Sequence, residues 1–214
     1  MYKKIWGLEQ LERMRFRYPP YVVVDITEEA PPDVKEYVLT KIRQVGIPKL
    51  ENDRLGVTIR VSLSGVLDKI ATHGGLHILD EGEVLKRVLA KYQQYKPNVK
   101  IVIQHTVDAR CSGTILKEND HATIEAIFGD APPLLEGQTS DYERWVFFLR
   151  RGRWKKERAY TRGDGEVVVL TLKDLQTFEG YVKLMPNKVY LEWSISKQGE
   201  LYFYEYYKLN NETH

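Results

Sequence analysis

Residues Lys100–Asp130 read KIVIQHTVDARCSGTILKENDHATIEAIFGD, and the fold turns on this stretch. Three runs rich in β-branched residues, Lys100–Val107, Ser112–Lys117 and Ala122–Phe128, are separated by short polar breaks. That spacing predicts adjacent antiparallel strands, not strands joined by crossover helices. The pattern continues downstream with strands expected at Arg144–Arg150, Trp154–Tyr160 and Val167–Thr171. Thr171-x-x-Asp174 has the form of a capping box before a helix over Leu172–Lys183. Two further strands, Val189–Ser196 and Leu201–Lys208, meet at a turn over Gln198-Gly199.

Upstream the pattern is different. A short helix over Leu8–Arg17 is stopped by Tyr18-Pro19-Pro20, because proline lacks an amide hydrogen and restricts the residue before it. Tyr21–Asp25 reads as a buried strand. Pro31-Pro32 opens a helix whose apolar stripe is Val34, Val38 and Ile42, closed by Gly46 and Pro48. Gly56–Val61 is a second strand, Leu63–Gly75 reads as irregular, and a helix over Glu83–Tyr95 ends at Pro97. The expectation is an α+β protein of two lobes in one compact unit. A strand-helix lobe spans residues 1–98, and a lobe with a larger antiparallel sheet spans 99–214. Ligands often bind in the cleft such lobes form.

The 214 residues are 43% hydrophobic, enough for a sizeable core. No apolar run approaches the ~20 residues that span a bilayer. Met1-Tyr2-Lys3-Lys4 leads into no signal-peptide apolar region, so a cytoplasmic location is expected. Cys111 is the only cysteine, which excludes an internal disulfide and a cysteine zinc cluster. The five histidines show no metal-ligand spacing. With 32 basic and 30 acidic residues the net charge is +2, and the overall balance does not mark a nucleic-acid binder.

Several stretches, in order, resemble one family. Pro19-Pro20-Tyr21-Val22-Val23-Val24 is similar to a "VPPGFVV" strand, and Val57–Ser62 to "VAVRSS". Ala71–Gly75 with His77–Asp80 resembles "FAGQ…TYLNV". Ile101–Val107 is similar to "VVVQRMV" and Ser112–Ile115 to "SGVAF", while Ile124–Gly129 resembles the strand before a "GLGE" turn. Gly137 with Ser140–Tyr142 resembles "SGxxxPDRY". Leu191-Glu192-Trp193 is similar to "VEW", and Glu200–Phe203 to "GELYILQ". Together these resemble the ATP-grasp, ATP-binding domain of the phosphoenolpyruvate synthase and pyruvate phosphate dikinase family. The departures are equally definite. Leu8 or a neighbour stands where the family has a lysine, and the acid of "GLGE" has become proline in Asp130-Ala131-Pro132-Pro133. The final "LQxR" is Tyr204-Glu205-Tyr206-Tyr207, and no "TSH" phosphohistidine motif is present.

The resemblance implies a reduced ATP-grasp-like domain that binds Mg-ATP, or another purine nucleotide, between its lobes. Any phosphoryl or pyrophosphoryl transfer would go to a separate acceptor protein or small molecule. Arg60 sits in the apolar strand Val57–Val61, where a guanidinium needs anionic partners, either phosphates or a carboxylate such as Glu125 or Glu192. Gln104, Lys117 and Glu125 complete the nucleotide-binding set; Gln104 also reads as a strand-end amide and Lys117 as a solvated lysine. His73 and His105 are nucleophiles on paper, but neither has a recognisable orienting partner.

A two-residue turn at Gln198-Gly199 would place Glu192 opposite Glu205 on one sheet face. Facing carboxylates repel, so a proton, a cation such as Mg²⁺ or a nearby basic group must compensate. The alternative to an enzyme is a module with a decayed nucleotide site that binds RNA or a protein partner. Its surface would be the basic hairpin Arg150, Arg151, Arg153, Lys155 and Lys156, with Trp154 interleaved.

Overall fold

The computed structural model describes residues 2–26, 33–48, 56–64, 73–135, 137–162 and 165–209. The expected helix start at Pro31-Pro32, the segment Ala71-Thr72 and residues 65–72 of the stretch read as irregular lie outside these. The elements run α1 (Lys3–Arg13), β1 (Tyr21–Val24), α2 (Val34–Val45), β2 (Val57–Leu63), β3 (His73–Ile78), α3 (Glu81–Tyr95) and β4 (Val99–His105). There follow β5 (Ala109–Lys117), β6 (His121–Phe128), α4 (Pro132–Leu135), β7 (Glu143–Phe148), β8 (Arg153–Arg158), β9 (Tyr160–Arg162), β10 (Gly165–Val167), α5 (Leu172–Leu184), β11 (Val189–Ser196) and β12 (Leu201–Lys208).

The chain divides into two compact units. One comprises residues 1–9 and 19–108, the other 10–18 and 109–214. The division falls after Asp108 rather than Asn98, because β4 pairs with β1 and β2 and is an inner strand of the first sheet. The first unit is a four-stranded sheet in the order β1-β4-β2-β3, with antiparallel neighbours throughout. Asp33 and Asp80 cap α2 and α3 by accepting from the backbone of Glu36 and Glu83, filling donors that helix starts leave open. The apolar stripes of these helices, Val38, Ile42, Val84 and Val88, pack with Val57, Ile59, Val61, Ile101 and Ile103 in one core. Strand residues alternate between faces, so Thr58, Arg60, Ser62, Val102 and Gln104 project to the opposite face. Residues 73–75, read as irregular, instead belong to β3, which runs on to Ile78. Its two glycines give no periodic signal in sequence.

The second unit is built on a six-stranded antiparallel sheet in the order β12-β11-β5-β6-β7-β8, with β9 and β10 pairing separately. The expected strand over Val167–Thr171 is replaced by β10 and the approach to α5. The Thr171/Asp174 capping box forms as its sequence predicts. On the face packed by α5, the rings of Phe178 and Trp193 meet edge to face at 4.7 Å, and both are fully buried. Trp193 is admitted by Gly113 on the neighbouring strand. A Cβ there would lie 2.9 Å from the indole and 1.8 Å from the carbonyl oxygen of Glu125, closer than any side chain tolerates.

Candidate functional site

The β11–β12 hairpin builds the feature with the most chemical content. Ser196 lies opposite Glu200 across three turn residues, with Gly199 at φ 84° donating to the Ser196 carbonyl. Near the turn the pairs are therefore Ser194 with Tyr202 and Trp193 with Phe203, one residue out from the two-residue-turn expectation. Tyr204 then forms a bulge, the extra residue cancels the offset, and Glu192 pairs with Glu205. The expected pairing is thus present, reached through a longer turn and a compensating bulge.

Across the sheet the same row continues from Glu192 to Thr114 of β5, Glu125 of β6 and Arg144 of β7. Directly paired residues share a face, so this is a line of polar side chains on the side away from Trp193. Glu205 is 4% exposed. Arg144 Nε lies 3.9 Å from Glu125 and 3.7 Å from Glu157. Two residues before Glu192, the Tyr190 phenol is pushed well above its ordinary value, first by burial and then by the carboxylates of Glu192 and Glu125. Its ring lies 5.9 Å from that of Tyr207. Thr114 and Tyr190 were not singled out in the sequence, although period-2 counting from Glu192 reaches Tyr190, and Thr114 is the partner of Glu125 across the β5–β6 hairpin.

Among the described residues no group of three or more His, Cys, Asp or Glu side chains is arranged to hold a metal. The donor set here is a facing pair of carboxylates. That suits Mg²⁺, which proteins commonly hold through one or two carboxylates while nucleotide phosphates and water complete the octahedron.

The other expected ligands separate. In the first unit, Arg60 is 5% exposed and Gln104 1%. Arg60 Nη1 donates to Gln104 Oε1 at 3.4 Å, and Gln104 Nε2 donates to the carbonyl of Pro19 at 3.4 Å. The structure therefore brings these two together on the face away from the helices. Lys117 is neither solvated nor on the face of Glu192. It follows the phase of Ile115, is buried, and donates from Nζ to the carbonyl of Met185 at 2.5 Å, just past the end of α5. Burial lowers its pKa. His105 is equally committed, with Nε2 2.8 Å from the carbonyl of Val45, the last residue of α2. The side chain of His73 lies outside the described residues. Lys156 is not part of a free basic surface, standing 3.0 Å from buried Glu143 and 2.7 Å from Glu166. Trp154 packs its ring on Phe147 at 4.8 Å, on the face of buried Phe147, and is not presented with the neighbouring cations.

Among the described residues no helix is long and apolar enough to cross a membrane. No family model and no curated protein sequence matches the chain. Solved structures do. The dinucleotide-forming acetyl-coenzyme A synthetase 1 of Ca. Korarchaeum cryptofilum superposes with a TM-score of 0.52 at 12% identity, covering 94% of this chain and 89% of that one. A RimK domain ATP-grasp protein from Sphaerobacter thermophilus gives 0.52 at 10% identity, covering 99% and 61%. D-alanyl-alanine synthetase A from Vibrio cholerae gives 0.49 at 9% identity, covering 97% and 55%. The chain spans about half the length of the D-alanine ligase structures it matches. At these identities the likeness concerns the fold alone, and that fold, an α+β architecture with a six-stranded antiparallel sheet, is ATP-grasp.

Proposed function

We propose that this chain binds a purine nucleotide as its Mg²⁺ complex, with Glu192 and Glu205 holding the metal. The observation that carries the reading is their direct pairing on one face of the sheet, in line with Thr114 and Glu125. A divalent ion bound there would neutralise the facing carboxylates and present its remaining coordination positions to phosphate oxygens. The polar row around them, with Arg144 beside Glu125, extends the hydrogen-bonding surface along the same face. The resemblance to the phosphoenolpyruvate synthase and pyruvate phosphate dikinase family adds a phosphate contact for Arg60, and a transfer of phosphoryl or pyrophosphoryl to an acceptor supplied by a separate molecule. The likeness in fold to the RimK domain ATP-grasp protein supports nucleotide binding.

Thermal unfolding with Mg-ATP, Mg-GTP and Mg²⁺ alone tests the proposal. A ligand at a hundredfold excess over its Kd stabilises the native state by about 2.7 kcal/mol. Stabilisation by Mg-nucleotide that EDTA removes, and that Glu192→Gln weakens, is the expected result. Absence of any nucleotide effect at millimolar concentration overturns the reading in favour of a module whose nucleotide site has decayed.

A further inference from the structure

The nine residues Arg150–Arg158 contain six basic side chains and one acidic, a net of +5. The whole chain carries +2, so the other 205 residues sum to −3. The β7–β8 hairpin is thus the densest basic run in a chain that is otherwise near neutral. The structure sharpens which of these groups are available. Lys156 is spent on Glu143 and Glu166, and Arg158 lies over the ring of Tyr142 at 4.3 Å with a backbone contact to Ser140. Arg153 and Lys155 are exposed and enter no ion pair among the described residues. Arg150, also exposed, feels only a longer-range attraction to Asp120, and Arg151 lies 5.9 Å from the ring of Phe148.

Strand β8 is the edge of the six-stranded sheet. Its register pairs Arg153 with Phe148 and Lys155 with Val146. The two cations therefore share one face, about 7 Å apart along the strand, with the half-buried Phe148 ring beside Arg153. Trp154, the aromatic that sequence proximity suggests, faces the other way.

We infer that this edge binds single-stranded RNA. Arg150, Arg153 and Lys155 would contact successive phosphates, and Phe148 would offer a ring for a base to stack on. Arginine predominates, and its planar fork suits phosphate oxygens. An aromatic on the same face as the cations is the combination single-strand binders use, and an acidic protein segment would have no need of it. This surface shares a sheet face with the carboxylate pair but lies at the opposite edge, four strands from β11.

The test is fluorescence anisotropy of a 5′-labelled 12-nucleotide oligouridylate with the full chain. Log K should fall with log salt at a slope near −2, as about three single-strand phosphate contacts require. The triple variant Arg150→Gln/Arg153→Gln/Lys155→Gln should weaken binding at least tenfold, with an unchanged melting temperature. Phe148→Leu should weaken it about fivefold, as loss of one stacked base implies. If the triple variant binds the oligonucleotide as wild type does, the inference fails. It also fails if a poly-glutamate peptide of equal charge competes on equal terms, which would reassign the surface to an acidic protein partner. Mg-nucleotide stabilisation of the triple variant should match wild type, so that the two proposals stand or fall separately.

Discussion

The two faces of each sheet use polar side chains differently. On the helix-packed faces, buried polar groups serve backbone atoms at helix ends. His105 meets the carbonyl of Val45 at the end of α2, and Lys117 donates to Met185 beyond α5. Glu143, fully buried, accepts from the backbone of Val169 and Leu170 just before α5, at 3.1 and 2.8 Å. On the opposite faces, polar side chains also meet one another. Arg60 meets Gln104, Ser112 and Ser194 share a bond at 2.6 Å, and Glu192 faces Glu205. A helix end needs its unpaired N–H and C=O groups satisfied, which accounts for the first set. The facing carboxylates of Glu192 and Glu205 belong to the second set, and the difference teaches where to look for function.

The comparison breaks most visibly at Glu143. Replacing it with alanine strands two buried amides, while Lys156 keeps Glu166, and each buried donor left unsatisfied costs about 1–3 kcal/mol. Urea unfolding of Glu143→Ala should show a loss of that order. A loss below 1 kcal/mol would mean that the helix-packed face does not depend on its polar groups. On the opposite face, Arg60→Ala should keep the fold and lower Mg-ATP affinity at least tenfold, about 1.4 kcal/mol. Isothermal titration reads this directly. Unchanged affinity would return Arg60 to a purely structural role beside Gln104.

Lys117 gives a smaller effect with a definite sign. Burial holds its folded-state pKa below the ordinary value near 10.5, so between the two values the unfolded chain binds more protons than the native one. Stability then rises with pH across that window. Relative to Lys117→Met, wild type should gain stability as pH climbs toward 10.5 in denaturant titrations. A flat difference would show that the ammonium suffers no penalty in its place against Met185.

The sequence makes these faces legible in part. Period-2 counting marks Glu192 and Glu205 as a pair, and the pairing holds because the longer turn and the Tyr204 bulge offset one another. The α5 capping box is local and readable for the same reason. Partners distant in sequence are not. Lys117 and Met185 are 68 residues apart, and His105 and Val45 are 60 apart, so nothing near either residue announces a helix end. The division between the two units is hidden on similar grounds. Pro97 marks a break in pattern, but only pairing with β1 and β2 returns β4 to the first sheet. Lys117 could have been read better, since its phase follows Ile115 onto the apolar face.

Glu205→Gln is the finest test of the comparison, because it changes one charge and almost no volume. If the opposite face is built to hold a cation, the wild type should be stabilised by millimolar Mg²⁺ or Mn²⁺, and the variant clearly less so. Without metal the variant should be as stable as wild type or better by about 0.2–1 kcal/mol, the range of a relieved cross-strand repulsion. Suppose instead that Glu205→Gln destabilises the metal-free protein and that neither ion moves the melting temperature. The pair would then be structural like Glu143, the two faces would not differ in kind, and the case for a metal on this sheet would be lost.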